Sequence, residues 1–159
     1  PARPWRLLCR GAPLHGAVME QAVQTIVKRF ERLAPQDLPH LAEIYAPDAR
    51  FKDPFNQVQG VAAITRIFEH MFANLDAPRF VIHDVIVQGD QCFLTWDFVF
   101  RLRRWHRDEQ TIHGGSHLRL APDGRIADHR DYWDVAEELY EKLPVLGGLM
   151  RWLKRRASR

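Results

Sequence analysis

The stretch RFVIHDVIVQGDQCFLTWDFVFRLRR, residues 79–104, decides the fold. It is rich in Val, Ile, Phe, Trp and Thr, and Gly89-Asp90 divides it into two runs, 79–88 and 91–104. That composition and that punctuation belong to two strands joined by a tight turn. Successive side chains of a strand point to opposite faces. Trp96, Phe98 and Phe100 therefore share one face, while Phe93, Thr95, Asp97 and Val99 share the other. The aromatic face suits core or pocket lining, which leaves Asp97 on the side available to a partner.

The same pattern continues downstream in 110–120 and 125–133, after turn signals at Arg107-Asp108 and Pro122-Asp123-Gly124. Short connections between consecutive strands predict an antiparallel, hairpin-linked sheet. Upstream the period is 3.6. Val23, Ile26, Val27 and Phe30 fall at helical spacing between Met19 and Leu33, and Pro35 ends the run. A second short helix is expected over 37–46, with Asp37 as N-cap and Leu38, Leu41, Ile44 and Tyr45 on it. A brief strand over 49–52 stops at Asp53-Pro54. Gly60 then precedes a third helix that buries Ile64, Ile67, Phe68, Met71 and Phe72, with Pro78 beyond its end.

Helices first and strands after make an α+β chain. Three N-terminal helices on one strongly curved, mainly antiparallel sheet form a cone whose apolar interior opens at one end. Such a concavity is a natural small-ligand site.

The 159 residues, 46% hydrophobic and 27% charged, are those of one globular domain and exclude disorder and coiled coil. No apolar run approaches the roughly 20 residues that span a bilayer. Cys9 and Cys92 form no metal spacing and no disulfide scaffold, which points to a reducing, cytoplasmic compartment. The net charge of +3 is unevenly placed. Residues 19–143 carry 15 basic and 20 acidic side chains, while both ends are basic without an acid. An acidic body argues against nucleic acid as a partner.

Residues 1–18, broken by Pro and Gly, read as a flexible extension and not as a secretory signal, with Met19 a candidate translation start. The cone occupies 19–135. Residues 136–159 read as a basic amphipathic helical tail, in which Leu146, Leu149, Met150, Trp152 and Leu153 lie among basic residues. Residues 145–159 would either cover an opening of the sheet or make a peripheral membrane contact.

Two motifs carry a family resemblance. IYAPDARFKDPFNQVQG (44–60), followed by a helix, resembles ketosteroid isomerases and the wider nuclear transport factor 2-like superfamily. DGRIADHRDYWD (123–134) is similar to the last strand of SnoaL-like polyketide cyclases. The isomerase resemblance implies a proton-moving carboxylate at Asp53. It aligns that family's oxyanion donors with Phe30, which cannot donate, and Ser116, which offers a single hydroxyl. The cyclase resemblance implies an acid/base carboxylate at Asp131, with His129 on the same strand face to tune it or relay its proton. Phe30, Tyr45, Phe55, Phe68, Trp96, Phe98, Ser116 and Trp133 are the expected ligand contacts.

His113 and His117 are four apart; on a strand that is about 13 Å, too far to share one ion. Gly114-Gly115 between them is expected to mark a bulge or bend. His83 and Asp84 read as a solvated strand edge, the alternative being a place at the cavity mouth. No nucleotide or serine-hydrolase motif occurs. The expected protein needs no cofactor and no metal, pairs as a homodimer through its sheet face, and binds a small apolar carbonyl compound for isomerase- or cyclase-type proton transfer. A non-catalytic binder of an apolar or lipid-like ligand, or a dimeric interaction scaffold, would carry the same pattern.

Overall fold

Helix α1 (His15–Glu31) begins ahead of Met19 and turns Met19, Val23, Ile26, Val27 and Phe30 to one buried face. It belongs to a computed structural model that describes residues 6–9, 15–102 and 108–135. The tail 136–159 and the Arg107 side of the turn before residue 110 lie outside the described residues. None of the described helices is long and apolar enough to cross a membrane.

The second helix differs from expectation. Pro35–Glu43 form a 3-10 helix with Pro39 inside it, and a residue without an N–H cannot extend an α-helical ladder. Asp37 is not the N-cap. It sits in the first turn and reaches back, its carboxylate accepting the Ala34 N–H at 3.0 Å. The helix ends earlier than expected, so Tyr45 opens strand β2 (Tyr45–Lys52), which is longer than the predicted 49–52.

After β3 (Gln57–Gln59), Gly60 enters helix α2 (Val61–Asn74) at φ 89°, a conformation that favours glycine. Ile64 and Phe68 form its buried stripe. Strands β4 (Leu75–Gln88), β5 (Gln91–Leu102), β6 (Gln110–Leu120) and β7 (Ile126–Tyr132) follow the predicted runs closely. β4 starts earlier, and its pairing breaks between Asp76 and Arg79, which lets Pro78 sit in a strand. Arg6–Cys9, within the stretch read as an extension, form β1, which pairs in parallel with β4.

The described strands make one curved sheet in the order β1-β4-β5-β6-β7-β2-β3. The run from β4 to β7 is antiparallel, and β2 joins β7 in parallel. α1, the 3-10 helix and α2 cover its concave face. The expected bulge at Gly114-Gly115 is absent: the β5–β6 register is unbroken from Gln91↔Arg119 to Phe100↔Gln110. The glycines make room instead. A Cβ on Gly114 would lie 2.4 Å from the Trp96 indole, and one on Gly115 would lie 2.8 Å from the Phe93 ring.

Candidate active site in the cone

Between the helices and the concave face lies a cavity of about 320 Å³, within the range of small-molecule sites. Phe30 of α1, Phe68 and Met71 of α2, Phe80 of β4 and Trp96 and Phe98 of β5 form its apolar wall. The polar lining comes from Ser116 on β6, His129 and Asp131 on β7, and Asp53 and Asn56 after β2. Exposed His70 and Asn74 complete it at the rim.

Strand register assembles the polar end. Ser116 stands directly opposite Asp131, and alternation along β7 brings His129 to the same face. The Trp96 Nε1–H donates to Ser116 Oγ at 2.8 Å. Indole nitrogen is a donor only, so the Ser116 hydroxyl is free to donate onward, to Asp131 Oδ1 at 2.5 Å. His129 Nε2 lies 2.8 Å from the same oxygen, and its Nδ1 lies 2.6 Å from the Tyr45 hydroxyl. Ser116 and His129 are buried, and the Asp131 side chain is 17% exposed. No donor among the described residues reaches Asp131 Oδ2.

Asp53 reaches the cavity but is committed to its own turn. Its Oδ1 accepts the N–H groups of Phe55 at 2.7 Å and Asn56 at 2.5 Å, and the Asn56 side-chain amide reaches both carboxylate oxygens. Two expected ligand contacts are not on the wall. Phe55 is 57% exposed and rests edge-on against Trp133, because the turn that Asp53 closes directs it outward. Tyr45 is fully buried behind His129, its ring stacked on the imidazole at 6.0 Å. Phe30, Phe68, Trp96, Phe98, Ser116 and Trp133 do line the cavity.

Sequence reasoning missed Phe51, Phe80 and Asn56. Phe80 pairs across the strands with Phe98, a position that strand alternation contained. Phe51 packs edge-on against His129 at 4.9 Å. Asn56 had a signal in the Asp-Pro-Phe-Asn turn composition.

On the outer sheet face, His83 and His113 flank Asp97, with nitrogens 3.0 and 2.5 Å from its two oxygens. Desolvation raises the Asp97 carboxyl, and the hydrogen bonds of His113 and His83 outweigh it, holding the group below the usual carboxylate range. His83 and Asp84 are exposed as expected, but β4 lies between β1 and β5 and is not an edge, and Asp84 accepts the Thr95 hydroxyl at 3.1 Å. His117 bonds Gln91, and no metal-holding cluster exists among the described residues.

Solved structures share this architecture. A protein from Jannaschia sp. CCS1 described as a SnoaL-like polyketide cyclase superposes with a TM-score of 0.67 at 17% identity, covering 81% of this chain and 94% of that one. An LEH-like epoxide hydrolase from M. tuberculosis gives 0.63 at 16% identity, with coverages of 87% and 97%. A Catenulispora acidiphila protein of ketosteroid isomerase-like fold, in complex with trimethylamine, gives 0.63 at 16%, with coverages of 75% and 89%. At such identities the likeness is one of fold. No curated protein matches the sequence. Residues 26–129 match the SnoaL-like domain, and the chain belongs to that family, within the nuclear transport factor 2-like fold.

Proposed function

We propose that the cone binds a small, largely apolar carbonyl compound and that Asp131 moves a proton on it, in an isomerase- or cyclase-type reaction. One observation carries this reading. Asp131 is held through Oδ1 by two neighbours, while Oδ2 remains unengaged at the wall of an aromatic cavity. A carboxylate so placed takes a proton from the carbon beside a carbonyl, and the resulting enolate either regains it at another carbon or attacks a second carbonyl to close a ring. Asp53 is assigned to the turn and not to the chemistry.

The cavity supports a restriction on substrate. Phe30 has no donor, and the Ser116 proton is spent on Asp131. Neither position that the isomerase resemblance aligns with an oxyanion donor supplies a strong free one, so the protein suits a C–H bond already acidified by a second carbonyl or by an aromatic ring.

2-Tetralone, a fused bicyclic ketone with an aryl-activated carbon, is a direct probe. In D₂O the protein should accelerate deuterium incorporation next to the carbonyl well above the buffer rate, and saturably in 2-tetralone. Exchange at the buffer rate, with 2-tetralone nevertheless bound, would favour the passive binder.

We also propose that the outer sheet face pairs two copies. Val81, Ile86, Phe93 and Tyr132 are exposed by 37–47% on that face, and grouped apolar exposure of this kind marks interaction surfaces.

A further inference from the structure

Tyr45 is a buried group that the proton transfer above does not use. It has no exposed surface and no place on the cavity wall, yet its hydroxyl lies 2.6 Å from His129 Nδ1. Burial, and then the charge of Asp131, push the phenol well above its ordinary range, so it keeps its proton. A buried hydroxyl has to place that proton on an acceptor. Among the described residues, the His129 Nδ1 is the one within reach. A ring nitrogen that accepts carries no proton, so the proton of the imidazole sits on Nε2, facing Asp131 Oδ1 at 2.8 Å.

The other arm has the same sense. Trp96 gives its proton to Ser116, and Ser116 gives its own to Asp131 Oδ1. Both arms therefore end on one oxygen. The reverse polarity, with Nδ1–H pointing at the phenol, would strand the phenol proton and turn a nitrogen lone pair toward a carboxylate oxygen.

We propose that Tyr45 is a positioning residue: its hydroxyl, donating to Nδ1 while Asp131 accepts from Nε2, holds His129 as the Nε2–H tautomer, so that His129 and Ser116 together hold Oδ1 and leave Oδ2 open to the ligand. The consequence for turnover rests on Asp131 being the base, whereas the tautomer does not.

The test is ¹⁵N NMR of the histidine side chains in the full chain, with His129 assigned through His129→Gln. The wild type should show His129 with an unprotonated Nδ1 and a protonated Nε2. Tyr45→Phe, which removes one oxygen and keeps the ring, takes the donor away from Nδ1 while Asp131 still holds Nε2–H, so the Nδ1 resonance should move downfield toward that of a bare acceptor nitrogen. A protonated Nδ1 in the wild type would overturn the proposal whether or not the variant folds, and so would an unshifted Nδ1 resonance in a folded Tyr45→Phe. With 2-tetralone, the variant should lose about tenfold in kcat with KM retained, the size of effect expected when a supporting hydrogen bond is removed. Loss confined to KM would count against positioning. Absence of exchange by the wild type would remove the functional reading while leaving the tautomer to the NMR result.

Discussion

Asp53 and Asp131 both line the cavity, and their hydrogen bonds differ. Asp53 spends its carboxylate on the N–H groups of residues 55 and 56. Asp53→Ala should therefore cost about 1.5–3 kcal/mol in urea unfolding, the size of a lost charge-assisted bond. Tyr45 makes a prediction at the other end of the pH scale. Its folded value is raised, so its contribution is complete below the unfolded phenol value of about 10 and is lost as pH rises toward the folded one. Stability should fall in alkali, and Tyr45→Phe should flatten that fall in pH-dependent melting. Part of the slope should survive, because burial pushes the Cys92 thiol up to about 12 and acts in the same direction. Strand alternation made His129, Asp131 and Trp133 legible as one face. It could not expose Tyr45's role, since a residue placed in a helix points elsewhere than the same residue opening a strand.

At the scale of elements, the β5–β6 pair positions the site, and Gly114 is its tightest point. Gly114→Ala should destabilise by about 1–3 kcal/mol, as overpacking does, and should disturb the Trp96 indole that feeds Ser116. Tryptophan fluorescence and thermal melting would report both effects. An unperturbed variant would mean that Trp96 has room to move. The long strands were readable because alternation and turn residues agreed there. The 3-10 helix was not: Leu38 and Leu41 give a buried stripe in either helix type, and Pro39 alone argued for the tighter one. The glycine pair was misassigned because a glycine that relieves a bend and a glycine that admits an indole look alike in a sequence.

For the whole molecule, the order of helices then strands announced the cone, and residues 26–129 bear that out as a SnoaL-like domain. The parallel β2–β7 junction was hidden, since pairing between residues this distant leaves no local pattern. The outer face makes a further prediction. Sedimentation should find a dimer, and Phe93→Lys should shift it toward monomer without unfolding the chain, because Phe93 is 37% exposed. A wild type that stays monomeric at high concentration would remove that proposal. The site proposal stands apart from it, since the cavity is lined from within one copy.

In the proposed reaction Asp131, and not Asp53, carries the proton. Deuterium incorporation into 2-tetralone, measured side by side for Asp131→Asn, Asp53→Asn and the wild type, tests it most directly. Asp131→Asn should fall to the buffer rate, while folded Asp53→Asn should keep most of the wild-type rate. Exchange that survives in Asp131→Asn and disappears in folded Asp53→Asn would contradict it.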